Sequence, residues 1–554
     1  MRSSKRPLIV GLLLIVALAL LAACAPASVA PVATSAPTQA TSAPAQATSA
    51  PAQPTSAPAA SADKVIIVGS GQDIANLDPH TGSDYATRAL QRNLYDALVR
   101  YEGNPPKIVP QLASSWDVSS DGLEYTFKLV QNAKFHDGSP VTADAVKYSF
   151  DRMLRLNKGV AWMFTAVMDD KSTTVVDPYT IKIKLNKPFA PFLSVVPWLW
   201  VVNPAVVKAN LGADDGQTYL KDHEAGSGPF TIKRWEPGTL YELARWDGYW
   251  RKDGRGNLTG AIWKIIRETS SQRLAVQKGD IQIAVDLSGD DMDALKGTPG
   301  LVLVEQPEFR TFSIKFNYTY GPTADINLRK AISYAFDYQA MLDAEGPGHA
   351  SLMIGPLPPN ILGADPNLDV PKTDLAKAKE YLAKSKYPNG GIKLSYVYVS
   401  GLEVERKFGL VLLESLKKLG IDLDVKQMVW TDMVALTKDP KTTPDFFPVY
   451  QTANYADPDN ILFATYHGSQ NGNWTNPTYK DPKVDDLIIQ ARGLRNDADR
   501  VKAYAEIQKL IVDDAPDIFG VLEKRKLAMS DKIQGWSFVP IASNAIDFYP
   551  LSLR

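Results

Sequence analysis

Between Ala25 and Ala62 the chain carries no charged residue and consists almost wholly of Ala, Pro, Ser, Thr and Gln. A seven-residue unit recurs there, QATSAPA at 39–45 and 46–52 and QPTSAPA at 53–59. Such a stretch buries too little apolar surface to offset the entropy of ordering it. Recurrent proline without an apolar a/d pair excludes a coiled coil. The segment is a tether, spanning roughly 35 Å as a flexible coil and up to about 120 Å as extended polyproline II. Folding therefore falls to the 491 residues from 64 to 554, enough for two to four domains or large lobes at about 100–200 residues each.

Ahead of the tether stand Arg2, Lys5 and Arg6 with no acid, then an apolar run from Leu8 to Leu21. Its 14 residues are too few to span roughly 30 Å of hydrocarbon as a helix, and the pattern is that of a signal peptide. The run ends in Leu21-Ala22-Ala23-Cys24, which resembles the bacterial lipoprotein cleavage box. That resemblance implies removal of residues 1–23 and lipidation of Cys24, with more than one acyl chain and hence stable anchoring. Cys24 is also the one cysteine of the sequence. Intrachain disulfides, clustered-cysteine zinc sites and iron–sulfur clusters are thus excluded. Lys+Arg 60 against Asp+Glu 61 gives a formal charge of -1, which becomes -4 once the three leader cations are removed. No bulk electropositive bias suggests nucleic acid.

The rest alternates strand and helix. Val65–Val68, 123–129 and 392–399 have strand character, and Val175–Leu185 folds back at Asp177-Pro178. Thr142–Leu154 is predicted as a helix capped by Thr142, and Leu328 to Leu342 keeps helical spacing throughout. A helix over Asp374–Ser385 is capped by Thr373 or Asp374, and one over Glu403–Leu419 ends at Gly420. Residues 482–494 and 499–512 form two more helices, the first with Asp481 as cap and Pro482 at its first position. Helix 403–419 between the strands at 392–399 and 421–425 makes a βαβ unit with a parallel sheet.

Catalytic patterns are missing. The five histidines, His80, His136, His223, His349 and His467, are far apart, with no HExxH, GxSxG or phosphate-loop motif. Gly-Ser-Gly at 69–71 lacks the third glycine of a dinucleotide site, where Ile74 stands. Asp286, Asp290, Asp291 and Asp293 miss calcium-loop spacing and read as a solvated loop entering a helix. No catalytic residue, metal ligand or cofactor is expected. Aromatic residues are plentiful, with 11 Trp and 23 Tyr. Trp198, Trp200, Trp430, Tyr450, Tyr455 and Trp474 fall in loop-like or strand-end positions suited to a ligand cavity.

Four stretches carry a family resemblance. They are LASSWDVSSDGLEYTFKLVQNAKFHDGSPVTADAVKYSFDRML (112–154), GSGPFTIKRWEPGTLYELARWDGYW (226–250), QRLAVQKGDI (272–281), and FN at 316–317 with LRKAISYAFDYQAML at 328–342. Together they resemble the extracytoplasmic solute-binding proteins of the dipeptide/oligopeptide/nickel family, family 5, that serve ABC importers. The resemblance implies an α/β, two-lobed periplasmic-binding-protein-like (Venus flytrap) fold, its large first lobe carrying an extra subdomain. It implies residues 64–308 plus 526–554 as lobe I, 309–525 as lobe II and 24–63 as lipidated tether. Hinges would lie near Pro307–Thr311 and Glu523–Lys526. It also implies a monomer without enzymatic activity, lipid-anchored outside the cytoplasmic membrane, that delivers a small solute, a peptide or a related molecule, to a permease pair with cytoplasmic ATPases.

One loop bears on the ligand. Peptide binders of this family carry a sequence resembling W.ADY.DP, whose first aspartate pairs with the peptide's α-ammonium. The matching stretch is Thr452-Ala453-Asn454-Tyr455-Ala456-Asp457-Pro458, with Asn454 where the aspartate would be. A desolvated ammonium without its partner costs about 3–5 kcal/mol, so Asn454 favours a neutral solute such as an oligosaccharide, or a peptide held by its backbone. Asp457 could supply a counter-charge, although an N-cap ahead of Pro458 explains it more simply. Arg310, near the hinge, could hold a carboxylate bidentately. The expected ligand-binding set is Asn454, Tyr455, Tyr450, Asp457, Trp198, Trp430, Trp474 and Arg310. The rival classes are a secreted hydrolase and a surface adhesion protein.

Overall fold

The β-branched run at Val65 forms the strand Val65–Ser70, which lies inside a mixed sheet of eleven strands. The structure, a computed structural model, describes residues 64–82, 84–285, 287–400, 402–541 and 546–554. Cys24, the apolar leader, the tether and Asp286 lie outside the described residues. Across the sheet the order is Asp422–Met428, Lys393–Val399, Phe446–Thr452, Leu301–Phe316, Asp517–Ser530, Ile283–Ala284, Val65–Ser70, Gly260–Ile265, Leu240–Arg245 and Phe230–Glu236. The short strand Ala350–Leu352 adds beside Asp517–Ser530.

Two long antiparallel strands, Leu301–Phe316 and Asp517–Ser530, pair along the middle of the sheet. Their ladder shifts register between Pro307 and Thr311. Pro307 has no N–H to give to the ladder, which favours a break there. The break frees Phe309 for two other partners: its N–H donates to Pro540 O (3.1 Å) and its carbonyl accepts from Ala453 N (2.8 Å). The crossing point thus holds both the C-terminal segment and the loop that follows Phe446–Thr452.

A second sheet, ordered Ala113–Val118, Glu124–Leu129, Thr180–Lys184 and Thr173–Asp177, packs with the helix Ala143–Leu156 and forms the extra subdomain of the first lobe. Phe127, Phe150, Phe164 and Phe192 are fully buried there. In the second lobe, the helices Ile326–Ala335 and Glu403–Lys417 bury Leu328, Ile332, Phe408 and Leu412 against Phe312 and Ile314 of the crossing strand. The βαβ unit takes the expected form, with Lys393–Val399 pairing in parallel with Asp422–Met428. Gly420 adopts φ 68° after the intervening helix, where a residue without Cβ is favoured.

Some local expectations change. The helical pattern from Leu328 to Leu342 divides into Ile326–Ala335 and Tyr338–Glu345, because Phe336 turns extended and Asp337 caps the second helix by accepting from Ala340 N (3.0 Å). The acidic run is not wholly solvated. Ser288 and Asp291 form a capping box on the helix Gly289–Leu295, and Asp291 is buried beside Arg273 (3.0 Å). The helices Pro458–Tyr466, Pro482–Gly493 and Asp497–Asp514 bury Ile461, Ile488 and Ile507 in the same apolar cluster as first-lobe residues such as Phe192. Among the described residues, no helix is long and apolar enough to cross a membrane.

Candidate functional site

The site is built where the loop 453–457 meets the first lobe. Arg310 pairs across the ladder with Thr452, and Phe312 with Tyr450, which brings the end of Phe446–Thr452 beside the crossing strand. The chain then turns into a helix. Asp457 caps it by accepting from Asp459 N (3.0 Å), and Pro458 takes the first helical position. Asn454, on this turn, donates its backbone N–H to Asn460 Oδ1 (2.9 Å).

Opposite lies the helix Tyr85–Leu94 of the first lobe, capped by Asp84, which accepts from Thr87 N (2.8 Å). Arg88 projects from its first turn and donates from Nη1 to Asn454 Oδ1 (2.6 Å). Other bonds also join these segments. Ala456 N donates to Tyr101 Oη (3.2 Å), Ala190 N donates to Arg492 O (2.8 Å), and Arg495 bonds Ser120 O. These contacts border a cavity of about 960 Å³.

Four of the expected residues line this cavity: Asn454, Tyr450, Arg310 and Trp474. Arg310 holds Glu523 (2.8 Å) and lies over the Tyr450 ring (4.8 Å). Trp474 and Trp162 supply aromatic surface, and Trp162 is 46% exposed.

The other four are placed elsewhere. Tyr455 is buried and donates from its hydroxyl to Asp459 Oδ2 (2.9 Å), so it braces the loop from behind. Asp457 is buried against Arg500 (2.5 Å), which removes it as a ligand counter-charge; burial raises its pKa even with Arg500 opposing. Trp198 is buried under the Arg88 guanidinium (4.9 Å) and faces a separate small cavity. Trp430 stands outside the cavity and meets Trp474 edge-on (5.3 Å).

The expected set missed Arg88 and the basic run Lys524–Lys526, all cavity-lining. Arg525 pairs with Glu308 (3.1 Å) and Lys526 lies 3.9 Å from Glu345. The lining acids Glu308 and Glu523 thus each face an arginine, an arrangement unlike the acid/base carboxylate pair a hydrolase needs. Among the described residues, no group of three or more His, Cys, Asp or Glu is placed to hold a metal.

Long crossing strands beside a lined cavity are the architecture of a solute-capture protein that works by lobe closure. The chain belongs to the bacterial extracellular solute-binding proteins, family 5, whose model matches residues 107–473. It is 31% identical over 495 residues to the probable D,D-dipeptide-binding periplasmic protein DdpA of Escherichia coli (strain K12), covering 88% of this chain and 94% of that one. It is 27% identical over 493 residues to heme-binding protein A of Haemophilus influenzae, covering 85% and 88%. The structure of the ABC transporter-associated periplasmic binding protein DppA from Helicobacter pylori, in complex with the peptide STSA, superposes with a TM-score of 0.76 at 26% identity. That match covers 88% of this chain and 98% of the other. The chain is accordingly an extracytoplasmic solute-binding component of an ABC importer and is not an enzyme.

Proposed function

We propose that this protein captures a short peptide or a related amide-bearing solute and presents it, lobes closed, to its permease pair. The cavity lined from both lobes carries this reading. Its roughly 960 Å³ lies near the top of the range of about 300–1,000 Å³ for small-molecule sites, which suits an oligomeric solute. Its wall offers neutral donors and acceptors, among them Gln72, Thr452, Asn460, Asn473 and Thr475, which match backbone amides. Lobe I comprises 64–308 and 526–554 and lobe II 309–525, with closure about 307–311 and 523–526. Asn454, Tyr450, Arg310 and Trp474 contact the ligand. The protein acts as a monomer held to the outer face of the cytoplasmic membrane by lipid on Cys24.

A second reading, an oligosaccharide or other neutral solute, is favoured by the Trp162 and Trp474 faces beside neutral polar groups. Titration of the purified protein with di- to tetra-alanine and with maltotriose, followed by Trp fluorescence and calorimetry, decides between them. Saturable binding of the peptides is expected; binding of maltotriose alone would overturn the peptide reading. For the anchor, Cys24→Ser should move the protein from the membrane fraction to the soluble one and abolish labelling by radioactive palmitate.

A further inference from the structure

Arg88 is a buried cation on the wall of the ligand cavity, 3% exposed. Its Nη1 bonds a neutral amide oxygen, Asn454 Oδ1 (2.6 Å), and its Nε has no partner. Among the described residues, no carboxylate stands within ion-pair distance of it. Asp84, the acid nearest in sequence, caps the helix at Thr87 N (2.8 Å). A guanidinium taken from water without a counter-anion is costly unless a charge or strong acceptor meets it.

The surroundings fix Arg88 in place and add to its field. The Arg88 guanidinium carbon lies over the Trp198 ring, 4.9 Å from its centroid, a cation–π contact that helps hold it. Asn454 spends its side-chain carbonyl on Arg88, which leaves that side chain its NH2 donor. Arg92 and Arg100 line the small cavity behind. Lining residues around the main cavity include Arg310, Arg525 and Lys526, each facing a glutamate (2.8, 3.1 and 3.9 Å). Arg88 differs from them in having no acid opposite.

We propose that Arg88 and Asn454 form an anion subsite which seats a carboxylate of the captured solute, so that the acidic end of the ligand, not its amine, is the recognised terminus. Resting on the peptide reading above, this inference sharpens it: the preferred solute is a peptide with a free acid, either its C-terminal carboxylate or an acidic side chain. Neutral Asn454 is what keeps the subsite open, since an aspartate there would fill it internally.

The test uses the full chain purified in detergent and calorimetric titration. Tri-alanine is compared with its C-terminal amide and with N-acetyl-tri-alanine; Ala-Glu-Ala-amide is compared with Ala-Gln-Ala-amide. A charge-assisted hydrogen bond supports a loss of about 10- to 100-fold when the acid is removed. The first comparison shows that loss if the C-terminal carboxylate is used, the second if a side chain is. N-acetylation should change affinity by less than about threefold, at the low end of what one neutral hydrogen bond contributes. Arg88→Gln should erase the acid preference, so that each acid and its amide bind alike. Arg88→Lys should keep the preference at lower affinity. Asn454→Asp, which pairs Arg88 within the protein, should also erase it and needs no core cation to be removed, so it serves if Arg88→Gln fails to fold. Equal affinity for acids and amides overturns the subsite while the peptide reading stands. Binding of maltotriose alone, or of none of these probes, overturns both.

Discussion

Asp457 poses the sharpest choice between a ligand contact and a structural role, and Asp457→Asn separates the two. The carboxylate is buried, with Oδ2 2.5 Å from Arg500 Nη2 and Oδ1 accepting from Asp459 N (3.0 Å). Asparagine keeps the capping acceptor for the helix Pro458–Tyr466, so the cap changes by only a few tenths of a kcal/mol. What is lost is the charge opposite Arg500, whose own side chain is 6% exposed. Removing one member of a buried pair costs about 3–5 kcal/mol. Asp497, 3.6 Å from Arg500 but 73% exposed, returns little of it. A loss of about 3 kcal/mol is therefore expected for Asp457→Asn, and about 1 kcal/mol more for Asp457→Ala, which also removes the cap. The double variant Asp457→Asn with Arg500→Leu should recover most of the loss, because no buried charge then remains unpaired. Urea unfolding reads stability and calorimetry reads ligand affinity, both on the purified protein. An unchanged urea midpoint with ligand binding weakened 100-fold or more would refute the structural assignment and return Asp457 to the ligand.

Glu405 is buried beside Val399 N (2.8 Å), and burial raises its carboxyl from 4.5 to about 7. A raised acid adds stability that is complete below 4.5 and lost as pH climbs through 7, about 3 kcal/mol in all. Glu405→Gln, which keeps an acceptor for Val399, should match the parent at pH 4 and exceed it at pH 8; parallel urea midpoints across that window would contradict this. Gly520 occupies the second register shift of the crossing strands, and a Cβ there would lie 2.6 Å from Phe312 O. Gly520→Ala should force the ladder apart and lower the melting temperature, and an unchanged melt would show that the strands yield freely. Trp474→Phe should remove most of the ligand-induced change in Trp fluorescence, whereas Trp430→Phe, outside the cavity, should leave it nearly whole.

Much of the fold is legible because its boundaries are written in short-range chemistry. Asp457-Pro458 and Asp481-Pro482 announce helix starts by a capping carboxylate and a residue that needs no amide partner, and both helices begin at the proline. Gly420 marks a helix end by the same local logic. Where periodicity alone was the guide, it overran. Leu328 to Met341 keeps one apolar face across the break at Phe336 because both helices bury that face in one core, and Asp337 as a cap was the signal that the spacing concealed.

The proposed ligand site obeys no such local rule. Arg88 and Asn454 are 366 residues apart, and the loop that carries Asn454 is tied through Ala453 to Phe309 at the break in the crossing ladder. Within its own helix, Arg88 stands among Thr87, Gln91 and Asn93, all buried, in a pattern of polar residues that periodicity assigns to water. The Asn454 substitution was readable, but only half of its meaning was. In isolation it says that an ammonium loses its partner; beside Arg88 it says that a guanidinium keeps its freedom. The ligand preference is thus a property of the pair, and a sequence reports pairs of this kind only after the fold has brought them together.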